Sequence, residues 1–139
     1  MLKSIKVGDY MTRNLMTFKP DMDLYEAIDR LLSHRVSGAP VVDAHGHLLG
    51  LVSAGDCLQR VLKGAYHEES GGTVETCMTR NVRTITPDTD IMQACELMLN
   101  DDFRRLPVLK DGRLVGQISR HDLLRAAKEF AQHDLGKRT

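Results

Sequence analysis

The sequence predicts an α+β fold made of two β-α-β-β-α repeats packed with pseudo-two-fold symmetry. Three features carry that prediction: an internal duplication, one amphipathic helix behind a capping residue in each copy, and two short apolar runs around a turn that follow it. Residues 7–62 align with 74–128 at an offset of 67, which falls to 66 after a one-residue deletion near Gly112. Met11-Thr12-Arg13-Asn14 recurs as Met78-Thr79-Arg80-Asn81, and the stretch from Thr17 to Asp23 recurs from Thr84 to Asp90. Pro40-Val41 recurs as Pro107-Val108, and Gly50-x-x-Ser53-x-x-Asp56 as Gly116-x-x-Ser119-x-x-Asp122. Self-similarity of this length is the signature of a tandem duplication.

Each copy opens on a short strand at Thr17 or Thr84 that runs into Pro-Asp. Asp23 followed by Glu26, and Asp90 followed by Gln93, read as capping-box helix starts. Behind them Leu24, Ala27, Ile28, Leu31 and Leu32 are spaced for one helical face, repeated by Ile91, Ala94, Cys95, Met98 and Leu99. Next, Pro40–Val42 and Leu48–Val52 flank a turn at His45-Gly46, a hairpin pattern. In the second copy Asp111-Gly112 is the stronger turn signal. A second helix closes each copy, carrying Leu58, Val61 and Leu62, or Leu123, Leu124, Ala127 and Phe130. The domain reading is therefore repeat 1 at 7–62, a polar Gly-rich linker at 63–73, repeat 2 at 74–130 and a polar tail at 131–139. A unit of this size is marginal alone, so two repeats making one fold is the expectation.

Composition narrows the function. Lys and Arg number 19, as do Asp and Glu, so the formal charge is zero, and three Phe and three Tyr with no Trp offer few stacking platforms. Neither suits a nucleic-acid binder. Three scattered cysteines fit reduced thiols in a cytosol. The opening residues have no signal-peptide core, and no apolar run approaches a bilayer span. A cytoplasmic protein without membrane contact is expected. Six histidines lack the spacing of a metal site: His45 and His47 share a turn, and His67-Glu68-Glu69 is not a zinc-helix motif. No nucleophile stands beside a base, and no phosphate-loop or nucleophile-elbow motif is present, so no catalytic residues and no enzyme are expected.

The order of motifs, with Met-Thr at the start, Ser37-Gly38-Ala39-Pro40-Val41-Val42-Asp43 in the middle and Gly-x-x-Ser-x-x-Asp at the end, resembles the CBS domain family, named after cystathionine β-synthase. It covers about residues 7–130, and the chain looks like a stand-alone tandem pair. The resemblance implies a regulatory binding module: a disc with two clefts for adenosyl compounds, with disc-to-disc homodimers common. No cofactor is required, and AMP, ADP, ATP or S-adenosylmethionine is the implied regulatory ligand. Carried over, one cleft would combine Thr17, Phe18, Ser37, Gly38 and Ala39 with Ser119 and Asp122. The other would combine Thr84, Ile85, Arg104, Arg105 and Leu106 with Ser53 and Asp56. An output would act in trans on an effector protein. The alternative is a ligand-independent dimerisation scaffold.

The residues admit two readings each. Asp56 and Asp122 could accept both ribose hydroxyls, with Ser53 and Ser119 turned to a phosphate at the helix N-terminus; Ser-x-x-Asp is equally a capping box. Thr17 and Thr84 could bond a ligand or be ordinary strand residues before proline. Gly38 could let backbone approach a purine or serve its turn. Arg104 and Arg105, standing where the first copy has Ser37 and Gly38, suit phosphate, or are solvated arginines at a strand end. Arg120 and His121 could add charge beside Ser119 and Asp122. Two chemically unequal clefts follow, the one with the arginine pair favouring longer phosphates.

Overall fold

The computed structural model describes residues 5–67 and 72–137, with side chains over 5–65 and 72–132. Its elements are α1 (Leu24–His34), β1 (Gly38–Val42), β2 (Leu48–Ser53), α2 (Ala54–His67), α3 (Ile91–Asn100), β3 (Arg105–Lys110), β4 (Arg113–Ser119) and α4 (Arg120–Lys137). Short 3-10 helices at Val7–Asp9 and Val74–Thr76 precede the two sets. The α+β class and the doubled βαββα-like order agree with the sequence reading.

Both first helices start at the predicted caps, Asp23 and Asp90, but the return bond of a full capping box from Glu26 or Gln93 does not form. The Asp23 carboxylate accepts from the amides of Tyr25 and Glu26 at 3.1 and 3.3 Å, and that of Asp90 accepts from Gln93 at 2.7 Å. Each satisfies amides that the first turn leaves without intrahelical partners. β1 pairs antiparallel with β2 and β3 with β4, with a register shift at Val41/Val42 and again at Val108/Leu109. Asp111 (φ 53°) and Gly112 (φ 79°) give the second hairpin its two-residue turn with positive φ at both positions, as a type I′ turn demands. The first hairpin needs a longer loop, closed by the Asp43 carboxylate, which accepts from the amides of His45 (2.8 Å) and His47 (3.0 Å).

The expected opening strands shrink to single parallel bridges, Phe18 with Val41 and Ile85 with Val108. Phe18 donates its amide to Pro40 and accepts from Val42, both at 2.9 Å. The next residue able to continue such a ladder lies two further on, and it is Pro20 or Pro87, which has no N–H. Other boundaries also move. Residues 63–67, expected as linker, continue α2, and the expected tail from 131 continues α4 to Lys137. Of the rest of the linker expectation, Gly72 and Thr73 lie beside the start of α1, while 68–71, with Glu68 and Glu69, fall outside the described residues, as do the chain's last two residues.

The helical stripes divide. Leu24, Ala27 and Leu31 are buried, as are Ile91, Ala94 and Met98, but Leu32 and Leu99 are about 70% exposed. On the second helices Cys57, Leu123 and Ala126 go inward, whereas Leu58, Leu62 and Leu124 face outward. The apolar stripes are therefore wider than the helix faces that the cores cover.

The chain forms two compact units that cut across the sequence copies. A central unit spans 16–82, and a terminal unit joins 1–15 to 83–139. The segment that opens the second copy completes the central unit. Leu24 donates to Gly72 O, Val74 donates to Met22 O, and Thr79 and Leu51 exchange amide bonds at 2.8 and 2.9 Å. The terminal unit repeats the device, with Ile91 donating to Ile5 O, Val7 to Thr89 O, and Thr12 and Gln117 exchanging bonds. Val74 fills the central core beside Phe18, Val41 and Val52, while Val7 and Met11 fill the other beside Val108 and Ile118. Gly50 and Gly116 allow this contact: a Cβ would stand 2.5 Å from Thr79 O at the first and 2.9 Å from Thr12 O at the second.

Two outcomes follow. Gly50→Ala forces overpacking against backbone and lowers stability by about 2 kcal/mol, read as a fall of several degrees in the melting temperature. Gly55→Ala, whose Cβ meets only Ser53 Oγ at an ordinary 3.6 Å, does not. An unchanged melting temperature for Gly50→Ala would reject the close pairing. The Cys57 thiol is 4% exposed, and its pKa is pushed up to about 11, first by burial and then by nearby Cys77 and Asp56. With little thiolate below that pH, Cys57 reacts with a disulfide reagent at pH 8 only as fast as the protein opens. Labelling at the rate of a free thiol would contradict its burial.

Candidate functional site

The Ser-x-x-Asp motifs sit where a hairpin strand turns into a second helix. In the central unit Ser53 donates its amide to Asp56 Oδ2 (2.9 Å), and Asp56 donates its amide to Ser53 Oγ (3.1 Å). In the terminal unit Ser119 and Asp122 make the same two bonds at 2.9 and 3.1 Å, and Ser119 Oγ also donates to Asp122 Oδ2 at 3.0 Å. Both motifs are therefore reciprocal capping boxes. The two carboxylates differ in what else holds them. Asp122 is 8% exposed and its Oδ1 receives Arg125 Nη1 at 3.3 Å. Asp56 is half-buried and stays accessible at the edge of a groove.

The loop before each hairpin closes onto the same helix start. Ala54 donates its amide to Ser37 O at 2.8 Å, and Arg120 to Arg104 O at 3.0 Å. Gly38 stands opposite Ser53 and Arg105 opposite Ser119 in the ladders. The requirement for glycine at 38 is close approach, since a Cβ would lie 2.9 Å from Val52 O. Each unit thus brings together the loop and the Ser-x-x-Asp motif of one copy.

The other expected site residues divide by burial. Phe18 and Leu106 are fully buried, and Ala39 (3%) and Ile85 (8%) nearly so, all in the cores. Ile85 also spends its backbone on Pro107 and Leu109, as Phe18 does on its own hairpin. All four side chains pack in the cores, Phe18 and Ile85 as the apolar residues of the two opening bridges. Thr17 and Thr84, just before the bridges, stay half-buried; Ser37 and His121 are exposed. Arg104 and Arg105 are exposed, and neither side chain has a hydrogen bond or ion pair among the described residues.

Arg120 does not fit the expectation. Its Nε donates to Phe103 O at 2.7 Å, and its Nη2 to Asp102 Oδ1 at 3.0 Å and Met98 O at 3.4 Å. The guanidinium is held at the C-terminal end of α3 by carbonyls and the Asp102 carboxylate, a favourable place for a cation.

Sequence reasoning missed a polar groove of about 410 Å³ in the central unit, lined by Asp56, Gln59, Arg60, Lys63, Thr76 and Cys77. Its signal was present: positions 56, 59, 60 and 63 follow the i, i+3, i+4, i+7 spacing of one helix face. A second, apolar cavity of about 450 Å³ lies between α1 and α2, with Tyr25, Leu32, Val36 and Leu58 among its lining. No group of three or more His, Cys, Asp or Glu among the described residues could hold a metal ion. Among them too, no helix is long and apolar enough to cross a membrane.

Known proteins share this arrangement. The CBS domain model matches residues 7–63 and 74–129. An uncharacterised 17.7 kDa protein of Acidianus ambivalens is 31% identical over 133 residues, covering 95% of this chain and 79% of its own length. Uncharacterised protein MJ1225 of Methanocaldococcus jannaschii is 33% identical, but the chain spans only 41% of it. Among solved structures, CBSX2 in complex with AMP, a CBS-pair protein of Arabidopsis thaliana, is 33% identical with a TM-score of 0.81 over 91% of this chain and 98% of that one. The CBS domain pair of protein MJ0100 in complex with 5′-methylthioadenosine and S-adenosyl-L-methionine is 27% identical, with a TM-score of 0.71 over 89% and 96%. With both copies matched by the family and the same fold in these relatives, the chain belongs to the CBS domain family as a tandem CBS pair.

Proposed function

We propose that this CBS pair is a regulatory sensor of adenosyl ligands, AMP, ADP, ATP or S-adenosylmethionine, that passes occupancy to an effector protein in trans. The observation that carries the reading is the paired Ser-x-x-Asp motif, which presents a pre-ordered carboxylate at the same point of each copy. A carboxylate fixed in this way can accept two vicinal ribose hydroxyls together. Thr17, Ser37 and Gly38 in the first copy, and Thr84, Arg104 and Arg105 in the second, are the other polar or cationic groups that the family resemblance assigns to the clefts. Arg104 and Arg105 would take phosphate oxygens, since their forks are unengaged among the described residues. That similar CBS pairs are solved with AMP and with S-adenosyl-L-methionine supports the ligand class. A ligand moves the effector only through a difference in affinity between two states of the pair.

Thermal unfolding tests the reading. A ligand at a hundred times its Kd adds about 2.7 kcal/mol, a shift of several degrees for a protein of this size. The expected outcome is a selective shift with one of AMP, ADP, ATP, NAD or S-adenosylmethionine. It should shrink sharply in Asp56→Asn or Asp122→Asn, variants that keep an oxygen for the cap. No shift from any of them at millimolar concentration removes the sensor reading.

The scaffold alternative has its own support. Leu32, Leu58 and Leu62 in the central unit, and Leu99 and Leu124 in the terminal unit, are 61–71% exposed, and large apolar side chains grouped on a surface mark an interaction site. A second copy of the chain would cover it. Sedimentation of the wild type should then give a dimer, and Leu58→Glu with Leu124→Glu a folded monomer. A monomeric wild type would end the homodimer reading.

A further inference from the structure

The groove along α2 has a counterpart in the terminal unit, and the two have diverged in a directed way. Asp56, Gln59, Arg60 and Lys63 correspond to Asp122, Arg125, Ala126 and Glu129, and Thr76 and Cys77 to Asp9 and Tyr10. In the terminal unit this face is closed. The Arg125 guanidinium lies 5.4 Å from the Tyr10 ring centroid and donates to Tyr10 O (3.3 Å) as well as to Asp122. The Tyr10 hydroxyl donates to Glu129, and that bond raises the phenol's pKa. Ring, guanidinium and carboxylates neutralise one another.

In the central unit Cys77 takes the ring's place, and its short side chain turns back to Val74 O. The face stays open as the groove of about 410 Å³. Its charge changes as well: Glu129 is replaced by Lys63, and buried Ala126 by Arg60. Lys63 is exposed with no hydrogen bond or ion pair among the described residues. Arg60 lies against Gly72, where a Cβ would stand 3.6 Å from its Nη2. At 1.5 Å of rise per residue, Arg60 lies about 6 Å and Lys63 about 10 Å along the helix from Asp56.

We propose that the α2 groove is a polyphosphate subsite: a chain of phosphates leading away from Asp56 is held by Arg60 and Lys63, so this half of the protein prefers a nucleoside triphosphate to a monophosphate. The inference rests on the adenosyl reading for the ribose at Asp56, and adds two residues and a preference to it. Two cations one turn apart on an open face suit successive phosphates of one chain. The α4 face, closed by Tyr10 with Arg125 already bound to Asp122 and Tyr10 O, has no counterpart to Lys63 to receive them.

Calorimetric titration of the full chain with AMP, ATP and inorganic tripolyphosphate tests the proposal on wild type, Lys63→Ala and Cys77→Tyr. Lys63→Ala changes one exposed side chain, and Cys77→Tyr refills the groove. Wild type should bind ATP more tightly than AMP. Lys63→Ala should weaken ATP about tenfold, the scale of one charge-assisted contact, and leave AMP within about twofold; Cys77→Tyr should also weaken ATP. Wild type binding AMP and ATP equally, or an ATP advantage unchanged in Lys63→Ala, overturns the subsite while leaving the adenosyl reading standing. Tripolyphosphate binding that Lys63→Ala abolishes, with no nucleotide bound, upholds the groove as a site for free polyphosphate and removes the adenosyl reading. Binding of none of the three overturns both.

Discussion

The constraint on which the structure depends is the backbone contact that the opening segment of each copy makes on a glycine of a hairpin strand. Thr79 exchanges amide bonds with Leu51 beside Gly50, and Thr12 with Gln117 beside Gly116. A two-stranded hairpin with one helix face against it leaves an edge unpaired and a core open at one end. The segment supplies strand partners for that edge and an apolar plug, Val74 in one unit and Val7 with Met11 in the other. Since the plug comes from outside the stretch it completes, neither compact unit is a continuous run of one sequence copy. The link continues into the candidate site. The same segment that pairs at Thr79 carries Thr76 and Cys77 to the wall of the α2 groove.

Duplication also separates scaffold from specificity. The caps at Asp23 and Asp90 and the reciprocal boxes at Ser53 and Ser119 survive in both copies because each satisfies backbone groups that have no other partner. Positions that face solvent carry no such obligation, and there the copies diverge. Ser37 is matched by Arg104 and Lys63 by Glu129, and at the half-buried edge Cys77 is matched by Tyr10. Two halves with one backbone plan thus present different charge.

What the sequence revealed follows the same division. Order and class of elements were legible because periodicity, capping residues and turn chemistry are local. The Asp111-Gly112 turn and the Asp23 cap formed as their residue types require. The opening strands were over-read, because the lack of an amide at Pro20 and Pro87 limits a ladder that composition alone suggests. Which leucines of each stripe face inward depends on how much of each helix the core covers, and no spacing rule contains that extent. At the site, the Ser-x-x-Asp motif was readable but its neighbours were not. The capture of Arg120 by the carbonyls of Met98 and Phe103 depends on how α3 ends against α4. The Tyr10–Arg125 stacking joins residues more than a hundred positions apart.

The two readings of Ser-x-x-Asp, cap and ligand contact, reinforce each other physically. A flexible carboxylate loses rotamer freedom when a ligand fixes it, a cost of about 0.5–1.5 kcal/mol for a side chain immobilised at an interface. Asp56 and Asp122 have already lost it to the helix start, because Oδ2 of each holds a serine amide at 2.9 Å. The cap therefore pre-organises the acceptor instead of competing with it, provided the carboxylate keeps a solvent-facing edge. Asp56 meets that condition at the rim of an open groove. Asp122, nearly buried and held by Arg125, meets it less well. If ribose recognition is what these carboxylates do, the central unit's carboxylate is the stronger acceptor, and the Tyr10–Arg125–Glu129 cluster is what makes the terminal unit's the weaker.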